Sequence, residues 1–476
     1  MTTLKTFHKP MRFDEGYRFF TTLKLDCFNN GQDYLIGALG GSEEINAIYL
    51  GKIAEFDGLM GRDLWLDIRG AHVIYIIGKR RSGKSYTLGV IAEGMACDEL
   101  RIGPSNQAVL ILDTLNIFWT MEQTVSGEQA EDLKKWGVST KQISDIVCYY
   151  PRGTRSDYMP KHYKEFAIKP SDLDGNDWAA LFETDPVVDP MGQLLYELYE
   201  KTAIEGYSSD FKKYPPKPEY GISDLLHCLD SDKEIQRYPI QVKEAVRRRL
   251  KTISRMPIFS TEGTDVRELF KPNQITVLLL RNLDHQIRAL VIGVLVKKIM
   301  KLRGETDECE KRLEILQRSP CADKEETEKL TRFIKEGLPR GWILIDEAHN
   351  YIPQTGIVAS KEPLKKYVNE GRNIGLSISV TTQQPSGLDT SIRRNADILI
   401  IHQITMDSDV DATSSMINTT MPDTVEIGGN RIKSRVFEHM TRELGLGYAI
   451  ISCSNANRLF LAKIRPRITI HGGREY

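Results

Sequence analysis

The chain has 476 residues, of which 41% are hydrophobic and 27% charged, enough for a large α/β core with additions. A formal net charge of −1 supplies no global basic field, so any contact with nucleic acid has to come from local loops or from an assembled ring. The seven cysteines include no C-x-x-C pair, which argues against zinc and disulfides. No apolar run approaches the roughly 18 residues of a membrane span, and the N-terminus lacks a signal-like apolar core, so the expectation is a cytoplasmic protein without membrane association.

In chain order, residues 1–70 read as a small β module. Tyr34–Leu39 and Ala47–Ile53 are strand-like around the turn Gly40-Gly41-Ser42, with Leu64–Ile68 as a third strand. A core of alternating strands and helices follows over 71–122 and 272–476, which predicts a doubly wound parallel sheet. It opens with the β-branched run Val73–Ile77, continues through a glycine loop into a helix over Tyr86–Met95, and reaches a second buried strand, Ala108–Leu112, ending in Asp113. Residues 123–271 read as an inserted helical subdomain, with helices at Trp178–Phe182, Gly192–Lys201 and Val242–Ser254 and a loop at Lys212–Pro218. Ile275–Leu280 resumes the sheet and Ile287–Met300 follows as a helix. Residues 305–337 read as a charged helical hairpin broken at Ser319-Pro320. Trp342–Ile345, Gly375–Thr382 and Ala396–His402 are further strands, and the tail closes as a hairpin, Tyr448–Ile451 with Leu459–Ile464.

The chemistry concentrates at two strand ends. Gly78-Lys79-Arg80-Arg81-Ser82-Gly83-Lys84-Ser85 fits G-x-x-x-x-G-K-[ST] at every fixed position, between an apolar strand and a helix. The glycines allow backbone N–H groups to wrap phosphates, Lys84 reaches the β- and γ-phosphates, and Ser85 holds Mg²⁺. Strand Trp342–Ile345 ends in Asp346-Glu347. There Asp346 orients Mg²⁺ through water and Glu347 polarises the attacking water. Gln383, at the end of another strand, can sense the γ-phosphate or position water; a strand-end amide is the plainer alternative. An arginine from a neighbouring subunit commonly completes such a site, and the candidates are Arg372, Arg393 and Arg394, with Arg372 preferred among them and an ordinary surface ion pair as the plainer alternative.

These residues resemble the HerA/FtsK group of hexameric DNA-translocating ATPases, and HerA more closely. The resemblance rests on HVIYIIGKRRSGKSYTLGV, ITVLLLRNLDHQIRALVIGVLVKKI, WILIDEAHNYIP, EGRNIGLSISVTTQQPSGLD and IRPRITIHGG, in family order from about residue 72 to 473. It implies a RecA-like P-loop ATPase core with ATP and Mg²⁺ as ligands, a small N-terminal β-barrel, an inserted helical bundle, and a homohexamer with double-stranded DNA in its channel. Gly78, Arg81, Ser82, Gly83, Lys84, Ser85 and Tyr86 would then bind nucleotide, and Ser85 and Asp346 the metal. Lys84, Glu347 and Gln383 would serve hydrolysis, with Arg372 supplied in trans. The closing RPRITIHGG resembles an element that reaches toward a neighbour. Only Asp113 remains of the family's acidic box after the second strand, where this chain reads Asp113-Thr114-Leu115-Asn116-Ile117. Two functions fit the resemblance. One is a motor that translocates on duplex DNA with a partner nuclease of the NurA type. The other is a ring scaffold that assembles and regulates an antiphage effector, either a nuclease or a sirtuin-like NAD-consuming enzyme.

Overall fold

A computed structural model describes residues 18–38, 44–55, 61–210, 212–318, 323–427 and 430–473. Its centre is the strand Val73–Ile77 (β1), buried at every position. Val73, Tyr75 and Ile77 pack into one apolar cluster, and Ile74 and Ile76 into another on the opposite face. A strand covered on both faces needs apolar residues throughout, which is why this segment reads as a continuous β-branched run.

Seven more strands run parallel to it: Ala108–Asp113 (β2), Ile146–Pro151 (β3), Lys164–Phe166 (β4), Ile275–Leu279 (β5), Gly341–Ile345 (β6), Leu376–Thr382 (β7) and Ile398–Ile401 (β8). Their order across the sheet is β4-β3-β5-β2-β6-β7-β1-β8. The helix Lys84–Ala96 (α1) buries Leu88 and Ile91 on the Ile74 face, and the helix His285–Gln317 (α2) buries Leu290 and Val294 on the Val73 face. Helices on both faces of a parallel sheet make the core doubly wound, the RecA-like α/β arrangement.

Beyond β8 the sheet turns antiparallel. Tyr448–Cys453 (β9) pairs with β8, and Phe460–Ile464 (β10) with β9. Ala47–Ile53 then pairs antiparallel with β10 and with Asp63–Asp67; Asp33–Ile36 runs parallel to Asp63–Asp67, and Asp26–Phe28 pairs antiparallel with Asp33–Ile36. The N-terminal strands are therefore hydrogen-bonded into the same sheet as the core. A buried ion pair, Arg458 to Glu55 at 2.7 Å, ties the two segments together. The turn read at Gly40-Gly41-Ser42 lies outside the described residues.

Two sequence expectations need correction. Residues 123–271 are not helical throughout: β3 and β4 extend the core sheet from within them. The segment Ile146–Pro151, IVCYYP, is short and set in polar flanks, so its strand character shows only once it is seen buried against β5. Helices do follow, at Gly175–Leu181, Pro190–Tyr199, Ile222–Ser231 and Ile240–Ile253. Second, the charged stretch from residue 305 does not begin a separate helix, because α2 runs unbroken from the apolar core to Gln317. The second helix of the hairpin is Lys324–Glu336 (α3), and the Ser319-Pro320 turn lies outside the described residues. Within its own chain the closing RPRIT segment is anchored to α1: Arg465 and Arg467 are buried against Glu93, at 2.8 and 3.1 Å. The tail then follows residues 117–125, with Val125 N–H donating to Ile468 O at 3.0 Å and Ile470 N–H to Gln123 O at 2.8 Å.

Candidate active site

The C-terminal edge of the parallel sheet gathers β1, β7, β6 and β2 side by side, and each delivers a polar group there. After β1 the loop Gly78–Gly83 leads into α1, with Gly83 at φ +106 as the helix cap. That left-handed value is one an L side chain rarely adopts, so the glycine is required by the backbone. Lys84 is buried, and its Nζ donates to the Lys79 carbonyl at 2.9 Å, curling back over the loop. Burial pulls its ammonium below the ordinary lysine range, against the carboxylates of Glu347 and Asp346, which favour the charge. Ser82 Oγ is buried without a hydrogen-bond partner. Arg81 stands exposed on the loop at φ +63. Tyr86 is half-buried, and its hydroxyl accepts the Arg467 N–H at 2.6 Å.

Facing this loop, β6 ends in Asp346-Glu347. Ser85 Oγ donates to Asp346 Oδ2 at 2.7 Å, closing the gap between α1 and β6. The other Asp346 oxygen accepts from Thr381 Oγ1 and from the Glu347 N–H, the latter at 3.0 Å. Glu347 sits in the left-handed region at φ +55, a conformation rare for a side chain of its length. Its N–H also reaches Thr381 Oγ1 at 3.1 Å, so Asp346 and β7 together hold the strained turn. Gln383 Nε2 donates to Glu347 Oε1, while Oε2 is buried with no hydrogen-bond partner. His349 Nδ1 lies 3.4 Å from that oxygen and 3.1 Å from Thr382 Oγ1. Burial and the neighbouring Asp346 carboxylate push the Glu347 carboxyl up, opposed by the Gln383 hydrogen bond and Lys84. Burial, and then Lys84, push the His349 imidazole down.

The sequence-predicted residues Lys84, Ser85, Asp346, Glu347 and Gln383 thus converge at one edge. Arg372 does not. It lies on the exposed turn before β7, at the opposite edge of the sheet, and β7 covers seven residues, roughly 23 Å of strand. Arg393 is occupied within its own chain, donating to the carbonyls of Leu388 and Ser386. Arg394 is exposed.

Several supporting residues were given no role from the sequence. Thr381 holds the Asp346 carboxylate and the Glu347 backbone N–H, and only its place at the end of β7 hints at it. His402, after β8, donates from Nδ1 to Tyr448 O at 2.9 Å and accepts Thr87 Oγ1 on Nε2 at 2.9 Å. Burial lowers its imidazole to about 4, the neutral form this pairing requires. Asp113 accepts the N–H groups of Leu115, Ile117 and Phe118 at 3.2, 3.1 and 2.8 Å. Burial raises its carboxyl to about 6, and the loop after β2 is wound around it.

The fit to a phosphate ligand with a divalent cation follows from this chemistry. A glycine-capped helix start, a lysine parked on a carbonyl, and a serine hydroxyl bonded to a carboxylate are the donors such a group takes. In this loop Lys84 would meet the phosphates, and Ser85 with Asp346 would hold Mg²⁺, which supplies charge neutralisation at the phosphates. Among the described residues no group of three or more His, Cys, Asp or Glu forms a separate metal cage. No described helix is long and apolar enough to cross a membrane.

A parallel sheet presenting G-x-x-x-x-G-K-S beside a strand ending in Asp-Glu is the arrangement of a P-loop nucleotide-binding site. Residues 72–299 match the family model described as the central domain of helicase HerA, so this part of the chain is similar to the HerA-like P-loop ATPases. A relative, the DNA double-strand break repair helicase HerA of Pyrococcus furiosus, is 25% identical over 166 residues. That match spans 33% of this chain and 30% of the relative. Among solved structures, VirB4 of Thermoanaerobacter pseudethanolicus aligns at 14% identity and TM-score 0.49, covering 89% of this chain and 97% of that one. The plasmid coupling protein TrwB in complex with ADP and Mg²⁺ aligns at 13% identity and TM-score 0.48, covering 92% and 98%.

Proposed function

We propose that this protein is a ring-forming ATPase, a homohexamer, that moves along double-stranded DNA and works with a partner nuclease. The observation that carries the ring is the placement of Arg372. It faces outward at the far edge of the sheet from its own phosphate loop, and its side chain has no partner among the described residues. An arginine so placed serves a neighbour's γ-phosphate, and the site at Lys84 receives its own arginine from the next subunit. Hydrolysis then uses groups already in position. Glu347 Oε2, buried and without a hydrogen-bond partner, accepts a proton from water as that water attacks the γ-phosphorus of ATP, whose bond to the β,γ-bridging oxygen breaks to release ADP and phosphate. Gln383, on Glu347 Oε1, holds the carboxylate in line, and Lys84 steadies the oxygens that gain charge. DNA as the track follows from the HerA likeness over residues 72–299.

The test is ATP turnover with and without linear duplex DNA across a salt series. Stimulation that fades steeply with salt supports the motor. Turnover indifferent to DNA would replace it with the effector scaffold, in which the ring assembles and controls an antiphage enzyme. Mixing Arg372→Ala with Lys84→Ala subunits tests the ring: activity returns where an intact loop meets an intact arginine. An unrescued mixture removes the in-trans role.

A further inference from the structure

We infer that Arg303, neutralised by Glu310, is the positioning residue for the Arg372 turn, so that α2 and its charged extension set how the arginine is presented to the neighbouring subunit. This rests on the in-trans reading of Arg372.

Arg303 lies in the middle of a helix otherwise classed as half apolar core and half exposed hairpin, yet its side chain is fully buried. A buried guanidinium calls for a full set of partners. Arg303 has them, and they come from separate parts of the chain. Nε donates to the Ile374 carbonyl at 2.7 Å, and Nη1 to the Leu338 carbonyl at 3.2 Å. Both terminal nitrogens grip the Glu310 carboxylate, Nη1 at 2.9 Å, and Asp307 stands 3.6 Å away. One side chain therefore joins three segments: α2 itself, the strand approach at Leu338, and the last residue of the 3₁₀ turn Gly371–Ile374.

That turn is the element carrying Arg372. On its N-terminal side it continues directly from the helix Lys361–Glu370, whose Tyr367 hydroxyl donates to Ser377 O at 3.1 Å. On its C-terminal side it ends at Gly375, at φ +78, with the Arg340 Cγ 2.8 Å from where a Cβ would stand. Arg340 in turn lies 3.6 Å from Glu310. The backbone of the turn is thus tied at the Ile374 carbonyl to Arg303 and walled by Arg340, while the Arg372 side chain is exposed and makes no bond to this network. A bidentate, buried tie suits positioning: it fixes direction as well as distance, and a lysine could not reproduce it. Because Arg303 and Glu310 stand seven residues apart on α2, movement of the outer helix bears directly on the tie. Arg312 and Glu326 pair across α2 and α3, so the hairpin would move as one piece.

The experiment is subunit mixing. Arg303→Met/Glu310→Gln removes the tie without leaving a buried unpaired charge. Alone, it is expected to keep ATP affinity, read with a fluorescent ATP analogue, while turnover falls about 10²-fold, the scale of a misplaced reacting group. Mixed with Lys84→Ala subunits it should regain turnover, because its phosphate loop is intact and the Lys84→Ala neighbour brings a correctly held Arg372. A merely structural role would damage its own loop and give no rescue. Full turnover by the double variant alone overturns the inference. So does an unrescued mixture in which Arg372→Ala plus Lys84→Ala is rescued. If Arg372→Ala is itself not rescued, the in-trans reading falls and this inference with it. Should the double variant not fold, Arg303→Lys, which keeps the charge but not the fork, enters the same mixing with the same expected pattern.

Discussion

Two buried glutamates show how one side chain does opposite work in this molecule. Glu93, in the middle of α1, is closed on every side. Its oxygens accept from Arg465 and Arg467, from the N–H groups of Ile468 and Thr469, and from the Thr469 hydroxyl. Burial alone would push its carboxyl up, but the two guanidiniums and the Thr469 hydroxyl together outweigh it and hold the carboxyl below the ordinary range. Glu347, at the end of β6, is nearly as buried, yet one of its oxygens has no hydrogen-bond partner and its carboxyl is pushed up by burial and by Asp346. A saturated carboxylate is a rivet. An unsaturated one, held in a strained backbone by Thr381 and Asp346, suits the proton-accepting role proposed for Glu347.

The sharpest way to break this comparison is to neutralise each in turn. Glu93→Gln leaves two buried arginines without their counter-charge and should cost about 3–5 kcal/mol of stability, read as a large fall in thermal midpoint or loss of folded protein. An unchanged midpoint would show that the tail does not depend on this cluster. Glu347→Gln should act the other way. Turnover is expected to fall about 10²–10⁴-fold, while the thermal midpoint holds or rises, because a strained and disfavoured charge has been removed. A variant that lost stability along with activity would place Glu347 with Glu93 as a structural group.

The pH dependence sharpens the same contrast. A carboxyl whose folded pKa is depressed, as in Glu93, contributes stability above its unfolded value, and loses it as pH falls through the folded one. For Glu347 the folded pKa is raised, so its contribution is present below the unfolded value and lost as pH rises through the folded one. The stability difference between wild type and Glu347→Gln should therefore be largest at neutral pH and shrink on acidification, as measured by thermal unfolding across pH. The acid limb of kcat should lie above the usual carboxylate range, since Glu347 must be ionised to accept a proton. The smallest effect expected is from Gln383→Leu. It removes a hydrogen bond that favours the ionised form, so the acid limb should move to higher pH while turnover at alkaline pH changes least. A limb that stays in place would mean that Gln383 does not govern the carboxylate.

Much of the site could be read in one dimension because its signals are local. The β-branched run Val73–Ile77, the loop Gly78–Ser85 and the pair Asp346-Glu347 each sit on a single strand end, where burial on both faces forces an apolar stretch and the chemistry follows at once. The strands β3 and β4 escaped notice for the converse reason: short and set among polar residues, they are strands because β5 offers an edge to β3 and β3 in turn offers one to β4.

What the amino-acid sequence determined by itself was the alternation of strands and helices, the phosphate loop, and which residue types stand at the strand ends. Only the tertiary structure decided which partners those residues have. It gave Glu93 two arginines from the far end of the chain, left Glu347 one oxygen short of a partner, and put Arg372 at the edge of the sheet away from its own Lys84. These are consequences of strand order and of contacts between residues far apart in the chain, and no local pattern encodes them, because a side chain's charge state and reach depend on what the fold packs against it.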